Sequence, residues 1–505
     1  MRMVRLGAIV TAVLLSATSV SAQKSADTLR ITMRDAVTNI DPYYNNLRTG
    51  VVMHHQAWDA LVYRNPDTFK IEPLLATEWK LPDTTTIEFT LRPNVKFHDG
   101  SAFTADDVVY TLNLIADPNS KVSTPANYAW LDKAEKTGDL SVRVKLKRPT
   151  PAALEYFAMV VPIYPKAYRE KVGPEAYAKA PIGAGPYKIT KVEAGVAIDF
   201  ERFEDYWAGS PKGKPAIRKL SVRFVPDAAT EMTELLAQRA DWIWNLNPDQ
   251  FDNVNKLPYL TAVRKESMRV GFMQLDAAGR SGADNPITKQ KVRQAIWHAI
   301  DRQTIADKLI TGGSRVPPAP CFPPQFGCDA EAAVLYDYNP AKAKQLLAEA
   351  GYPDGFDVEL ASYVLPQWGS AVQNYLQAVG IRARLNQLQI QALIQRSKAG
   401  ELRTQLGSWG SYSINDVSAI LPNYFDGGAD DYARDPEVTK WLLEGGSSND
   451  PEVRKKAYSA AIHRITEQAY WLPLHTYVTT YGYSKQLDFS PYADELPRFF
   501  LAKWK

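Results

Sequence analysis

The chain has 505 residues, and its 59 Lys and Arg nearly balance 56 Asp and Glu, for a formal net charge of +3. Basic residues are scattered among acids, not gathered in a stripe, which excludes the footprint of a nucleic-acid binder. The length suits two or three domains, and past the N-terminus no segment has the eighteen or so uninterrupted apolar residues of a membrane helix.

The first elements concern export. Arg2 and Arg5 flank the start of a mostly apolar run over residues 6–15, and Val20, Ser21 and Ala22 place small residues at a cleavage site, so residues 1–22 read as a signal peptide. Cleavage there leaves 57 basic against 56 acidic residues. No Cys stands at the cleavage point, so no lipid anchor is expected. A strand is predicted over Thr28–Met33. Over residues 87–91, Ile87, Phe89 and Leu91 alternate with Glu88 and Thr90, the period of two of a half-buried strand. Asp99 and Gly100 supply a turn. Thr104 is then a good N-cap with Asp107 three residues on, the pairing that satisfies orphan donors at a helix start, and Val108, Leu112 and Ile115 follow at helical spacing.

Further strands over residues 142–146 and 197–203 interleave with helices, which argues for a mixed α/β protein. A helix over residues 289–300 places Val292, Ile296 and Ile300 on one face, with Ala295 and Ala299 beside them and Arg293 directed outward. Another over residues 341–350 gathers Ala343, Leu346, Leu347 and Ala350, and stops at Gly351 with Pro353 shortly after. No internal repeat is present, and the only biased tract is the proline cluster over residues 316–324.

Cys321 and Cys328 are the only cysteines. In an exported chain their spacing reads as a disulfide pinning a Pro-rich loop, and a metal site there lacks further thiolates or a nearby His. Enzyme motifs are missing: there is no Gly-x-Ser-x-Gly elbow, no His-Glu-x-x-His pair and no phosphate loop. Adjacent side chains diverge, so His54 and His55 do not by themselves make a metal site, and ordinary packing roles are expected. No cofactor and no catalytic residue is implied.

The stretch over residues 87–115 resembles the signature of the bacterial extracellular solute-binding proteins, family 5, that serve dipeptide, oligopeptide and nickel ABC importers. Leu74 to Trp79 precedes it in the family manner. Ile182-Gly183-Ala184-Gly185-Pro186-Tyr187, Phe203 to Trp207, Lys291 to Ile296, Ala299 to Arg302 and Tyr338-Asn339-Pro340 follow in order. The resemblance implies an α/β, two-lobed, class II, three-domain periplasmic solute-binding fold with a hinge and an interlobe cleft. On that analogy residues 23–63, 180–268 and 481–505 build the core of lobe I, residues 64–179 an accessory domain, and residues 269–480 lobe II.

The same resemblance implies a monomeric, periplasmic receptor of a Gram-negative bacterium that passes a short peptide or peptide-like solute to ABC permease subunits, with no nucleic acid and no membrane anchor. A non-peptide solute (oligosaccharide, opine or metal chelate) is the alternative, and a secreted hydrolase the reading outside this class. The best ligand segment is residues 407–416, where Trp409, Gly410, Ser411, Tyr412, Asn415 and Asp416 offer a stacking surface and polar groups. In peptide-binding relatives an Asp three residues after the Trp pairs with the peptide's amino group, whereas here that position is Tyr412. Either Asp416 takes over from a shifted loop or the ligand need not carry a free amine; Asp416 is also a natural helix N-cap. Family position adds Asn45, Asn46, Tyr128 and Tyr363.

Overall fold

The computed structural model describes residues 27–45 and 47–505; the expected signal peptide and Asn46 lie outside the described residues. Ten strands form one mixed sheet, in the spatial order Ile381–Gln387, Phe356–Ser362, Thr404–Trp409, Leu260–Leu275, Trp471–Ser484, Trp242–Trp244, Thr28–Met33, Lys219–Phe224, Ala197–Arg202 and Tyr187–Glu193. Parallel pairing occurs toward both ends. Thr28–Met33 pairs that way with Lys219–Phe224 and Trp242–Trp244, and Phe356–Ser362 with Ile381–Gln387 and Thr404–Trp409. Parallel pairs need crossover connections, which supply the covering helices.

The two ends are joined by the antiparallel pair Leu260–Leu275 and Trp471–Ser484, strands of 16 and 14 residues. Their register shifts between Glu266 and Val270, opposite Val478 and Thr476. Such an irregularity bends a ladder and increases its local twist. It falls beside the step at which the sequence reading divides lobe I from lobe II.

The accessory region carries a four-stranded antiparallel sheet ordered Ala76–Asp83, Thr86–Leu91, Ser141–Leu146 and Leu131–Gly138. The helix Ala105–Ala116 follows the second of these, starting as its sequence dictates: the backbone N–H of Thr104 donates to Asp107 Oδ2 at 2.8 Å. Asp107 Oδ1 also accepts the amide of Lys166 at 2.8 Å, so the cap ties this helix to the start of the helix Lys166–Lys179. Ile87, Phe89, Leu91, Val108, Leu112 and Ile115 are buried in one hydrophobic cluster with Leu29 and Ile31 of the main sheet. Separate clusters, one around Ile296, Leu346 and Leu360 and one around Phe272, Tyr458 and Trp471, fill the other half.

One expectation is corrected. Arg293 does not point outward from its helix, Gln290–Ala299, but is buried. Its Nε donates to the carbonyl of Gln468 at 3.0 Å, and its Nη1 to those of Ile287 and Thr288 at 2.9 and 2.8 Å. Three carbonyls left over at the ends of neighbouring turns thus find donors, and periodicity alone does not reveal such partners. Burial lowers this guanidinium to about 10, against the pull of Tyr470 and Tyr336.

Candidate ligand cleft

The helix Arg48–Ala57 presents Arg48, Val51 and His55 at positions i, i+3 and i+7, with His54 beside them, to a cavity of about 470 Å³. This spacing puts them on one face. Segments of the accessory region close a second side, with Asn127, Tyr128 and the run Ala158 to Pro162. Arg269 and Trp409 come from strands of the main sheet, Gly410 and Tyr412 from the loop after Trp409, and Ile390 from the start of the helix Ile390–Lys398. The volume lies within the range of pockets for small molecules.

Trp409 ends the strand Thr404–Trp409, and its indole N–H donates to the carbonyl of Ala419 at 2.7 Å. Tyr412 stands edge-on to it, ring centroids 5.0 Å apart. The backbone that turns here is strained: Ser411, Tyr412 and Ser413 have successive φ of +51, +49 and +63°. Left-handed conformations at non-glycine residues persist where the surroundings over-determine them. Here they do, because Arg48 donates to Ser413 Oγ at 2.7 Å, Arg64 donates to the Ser413 carbonyl, and Ser413 Oγ donates to the Asp494 carbonyl at 2.7 Å. All three partners are distant from this loop in sequence, so segments from elsewhere in the chain hold it in place.

The charged lining is basic. Lys212 is buried, with Nζ 2.8 Å from Asp59 and donating to the carbonyls of His55 and Trp58 at 2.9 Å each. Burial lowers its pKa against the pull of Asp59. Arg48 and Arg269 both lie near Glu495, at 3.6 and 3.5 Å. Against its own burial, Arg269 and Arg48 hold the Glu495 carboxyl below the usual range. His54 is neutral, pushed down to about 3 by burial, and its Nε2 is buried without a hydrogen-bond partner. His55 shares the cavity wall with it, yet among the described residues no group of three metal-ligating side chains gathers anywhere.

Of the residues expected from sequence, Asn45, Tyr128, Trp409, Gly410 and Tyr412 line the cavity. Asn45 is partly committed, its Nδ2 donating to the Asn39 carbonyl at 2.7 Å and its Oδ1 accepting from Leu47 at 2.8 Å. Of the readings open for Asp416, the cap is the one found: it is buried, caps the short turn Val417–Ala419 through Ser418 N–H at 3.0 Å, and takes Arg454 Nη2 on both oxygens at 2.9 and 2.8 Å. It does not line the cavity. Ser411, Asn415 and Tyr363 also stand off the cavity wall. Ser411 is fully buried, the Asn415 amide donates to Glu155 at 3.0 Å, and the Tyr363 hydroxyl receives the amide of Ser408 at 2.9 Å.

Sequence reasoning missed Arg48, Asn127, Lys212 and Arg269. None carries a local signal, because each matters only through where the chain brings it.

Residues 70–431 match the sequence pattern of the bacterial extracellular solute-binding proteins, family 5. The chain belongs to that family. This family 5 protein is 27% identical over 463 residues to heme-binding protein A of Haemophilus influenzae, covering 83% of this chain and 81% of that one. It is 26% identical over 474 residues to the glutathione-binding protein GsiB of Salmonella typhi, covering 89% of each. Among solved structures, HbpA2 from Haemophilus parasuis superposes with a TM-score of 0.82 at 25% identity, over 95% of this chain and all of that one. The protein AgaA in complex with agropinic acid, from A. tumefaciens R10, superposes with a TM-score of 0.76 at 25% identity, over 95% and 99%. The family 5 fold, with two lobes about a cleft, is therefore the frame in which these side chains meet.

Proposed function

We propose that this protein is the substrate-binding component of an ABC importer, which takes a short peptide or peptide-like solute into its cleft and delivers it to the membrane permease. The observation that carries this reading is the cavity itself. It is walled by the helix Arg48–Ala57 and the accessory region on one side and by Arg269, Trp409 and Tyr412 on the other. A solute there touches both lobes at once, so it binds the closed form better than the open one and shifts the hinge equilibrium. The permease then has a closed complex to recognise.

Relatives named for glutathione and for di- and tripeptides support a peptide-like solute. The signal-peptide pattern, the absence of a membrane-spanning helix among the described residues and the Cys321–Cys328 disulfide support an exported protein working in the periplasm. Domain limits at residues 64–179 for the accessory part and 269–480 for lobe II fit the long strand pair as the hinge. The protein acts as a monomer and performs no covalent chemistry on its solute.

Small-angle scattering of the ligand-stripped protein, before and after adding pooled di- and tripeptides, tests this. The radius of gyration should fall, tryptophan emission should change with saturation, and mass spectrometry should return the peptides intact. Unchanged scattering and emission at millimolar peptide would sink the peptide reading, and turnover of the peptides would sink the receptor reading.

A further inference from the structure

The charged side chains that line the cleft are of one sign only. Its lining holds Arg48, Arg269 and Lys212, and among the described residues no Asp or Glu lines it. The carboxylates around it are committed to cations of the protein. Asp59 faces Lys212 at 2.8 Å, Asp41 faces Arg169 at 3.0 Å, Asp494 faces Arg64 and Arg498 at 2.8 and 2.7 Å, and Asp416 faces Arg454 at 2.8 Å.

Arg48 and Arg269 differ from these other cations. They share one carboxylate, Glu495, at 3.6 and 3.5 Å, longer than the separation of a charge-assisted hydrogen bond. Their other hydrogen-bonding side chains are hydroxyls, Ser413 Oγ at 2.7 Å for Arg48 and Ser408 Oγ at 3.4 Å for Arg269, and the Arg269 guanidinium lies 5.9 Å from the centre of the Tyr477 ring. Two guanidiniums against one carboxylate leave one positive charge beside the pocket, on side chains that keep 22% and 29% of their exposure. Partly desolvated charge without a counter-ion carries a cost, and an anion on the solute offsets it. The flat fork of a guanidinium suits a carboxylate, which it holds by two parallel bonds.

The surroundings preserve this arrangement. Gly410 leaves room for Arg269, whose Nη2 would lie 3.0 Å from a Cβ at that position. Neutral groups occupy the rest of the wall, and Asn127 adds a buried Oδ1 with no hydrogen-bond partner, an acceptor that carries no charge to hold an ammonium.

Resting on the reading of this cavity as the solute site, we infer that the cleft selects its solute through a carboxylate seated between Arg48 and Arg269 and requires no free ammonium. The substrate class is acidic solutes, amine-blocked peptide acids included.

The test uses the full mature chain, stripped of solute and refolded, with one tripeptide pool in three forms: unmodified, N-acetylated and C-amidated. N-acetylation should leave affinity within about threefold, while C-amidation should weaken it about ten- to a hundredfold, the range of a charge-assisted bond. Arg269→Gln should weaken the N-acetylated pool by a similar factor and add little to the loss from amidation. Equal binding of the amidated and unmodified pools overturns the inference and leaves the peptide receptor standing. So does loss of binding on N-acetylation. Binding of no pool, together with an acidic non-peptide solute released from freshly isolated protein by denaturant, retires the peptide reading and supports the carboxylate site. If no acidic solute is either bound or released, both readings fall.

Discussion

The backbone N–H of Gly183 donates to Nδ1 of His98 over 3.1 Å, which leaves the ring proton on Nε2, where it is donated to the carbonyl of Gly185 at 3.0 Å. The amide of His98 in turn donates to the carbonyl of Gly183 at 2.9 Å. Two motifs that were legible separately, the stretch over residues 87–115 and the Gly-Ala-Gly run, are therefore one structural unit. Gly185 donates to the carbonyl of Ala57 at 3.0 Å, so the unit buttresses the end of the helix that carries Arg48 into the cleft.

This geometry requires a neutral imidazole. Burial pushes His98 down to about 4, from an unfolded value near 6.5. The folded state then takes up its proton later than the unfolded state, so this contribution is whole above about pH 6.5 and is lost as pH falls toward 4, on the order of 3 kcal/mol. His54 and His475, held at about 3 and 4 by burial, act in the same direction. Glu231, pushed up to about 7 by burial against Arg34, acts in the opposite one. Urea unfolding at steps from pH 7.5 to 4.5 should show declining stability on acidification, and His98→Gln should flatten that decline. An unchanged slope in the variant would remove His98 from the account.

A methyl group at either glycine of the same unit should be costly. At Gly183 a Cβ would overlap the carbonyl oxygen of Ala57, and at Gly185 it would lie 2.5 Å from the Ala57 carbonyl carbon. Backbone cannot move aside as a side-chain tip can, so Gly185→Ala should lose about 2 to 4 kcal/mol in denaturant unfolding. A loss under about 0.5 kcal/mol would show that the two segments are not tightly packed.

Asp416→Asn tests whether that carboxylate serves the fold or the ligand. It removes the charge facing Arg454 in a buried pair, for which a loss of about 3 to 5 kcal/mol is expected. Arg454→Met should destabilise by the same mechanism. Unaltered stability in both variants, with reduced solute retention in Asp416→Asn alone, would return Asp416 to the ligand.

The strained loop allows a prediction in the other direction. Ser411 is buried with φ +51°, and its Oγ has no hydrogen-bond partner. Ser411→Gly removes both the left-handed strain and the buried hydroxyl, and should raise stability by about 1 kcal/mol. Thermal melting decides it, and a lowered midpoint would mean the hydroxyl has a use in the folded protein.

The disulfide should act on the same loop. Beside it, Phe326 N–H donates to the Asn415 carbonyl at 3.1 Å and Gln325 Nε2 to the Ile414 carbonyl at 2.9 Å, so the short cross-link braces the segment behind Trp409 and Tyr412. Replacing both cysteines with serine should cost about 2 to 3 kcal/mol, the loop-entropy value for so short a ring. Hydrogen exchange should show faster exchange at residues 414–417, and protection unchanged there would confine the cross-link to its own loop.

The sequence alone determined the elements whose causes are local. The alternation at Ile87, Phe89 and Leu91, the Thr104 and Asp107 cap, the stop at Gly351 and the pairing of the two cysteines all rest on neighbours a few residues apart. Their ordered sum was enough to place the chain in its family and fold. What the tertiary structure decided lies where partners are distant in sequence. Asp416 met Arg454, 38 residues away, and became part of the core. Arg293 met the carbonyl of Gln468, 175 residues on, and turned inward. Arg48 and Arg269, ordinary helix and strand residues when read in order, were brought to one cavity beside Glu495. Local geometry writes itself into spacing, whereas the charge balance of a cleft is a sum over segments that only folding brings together.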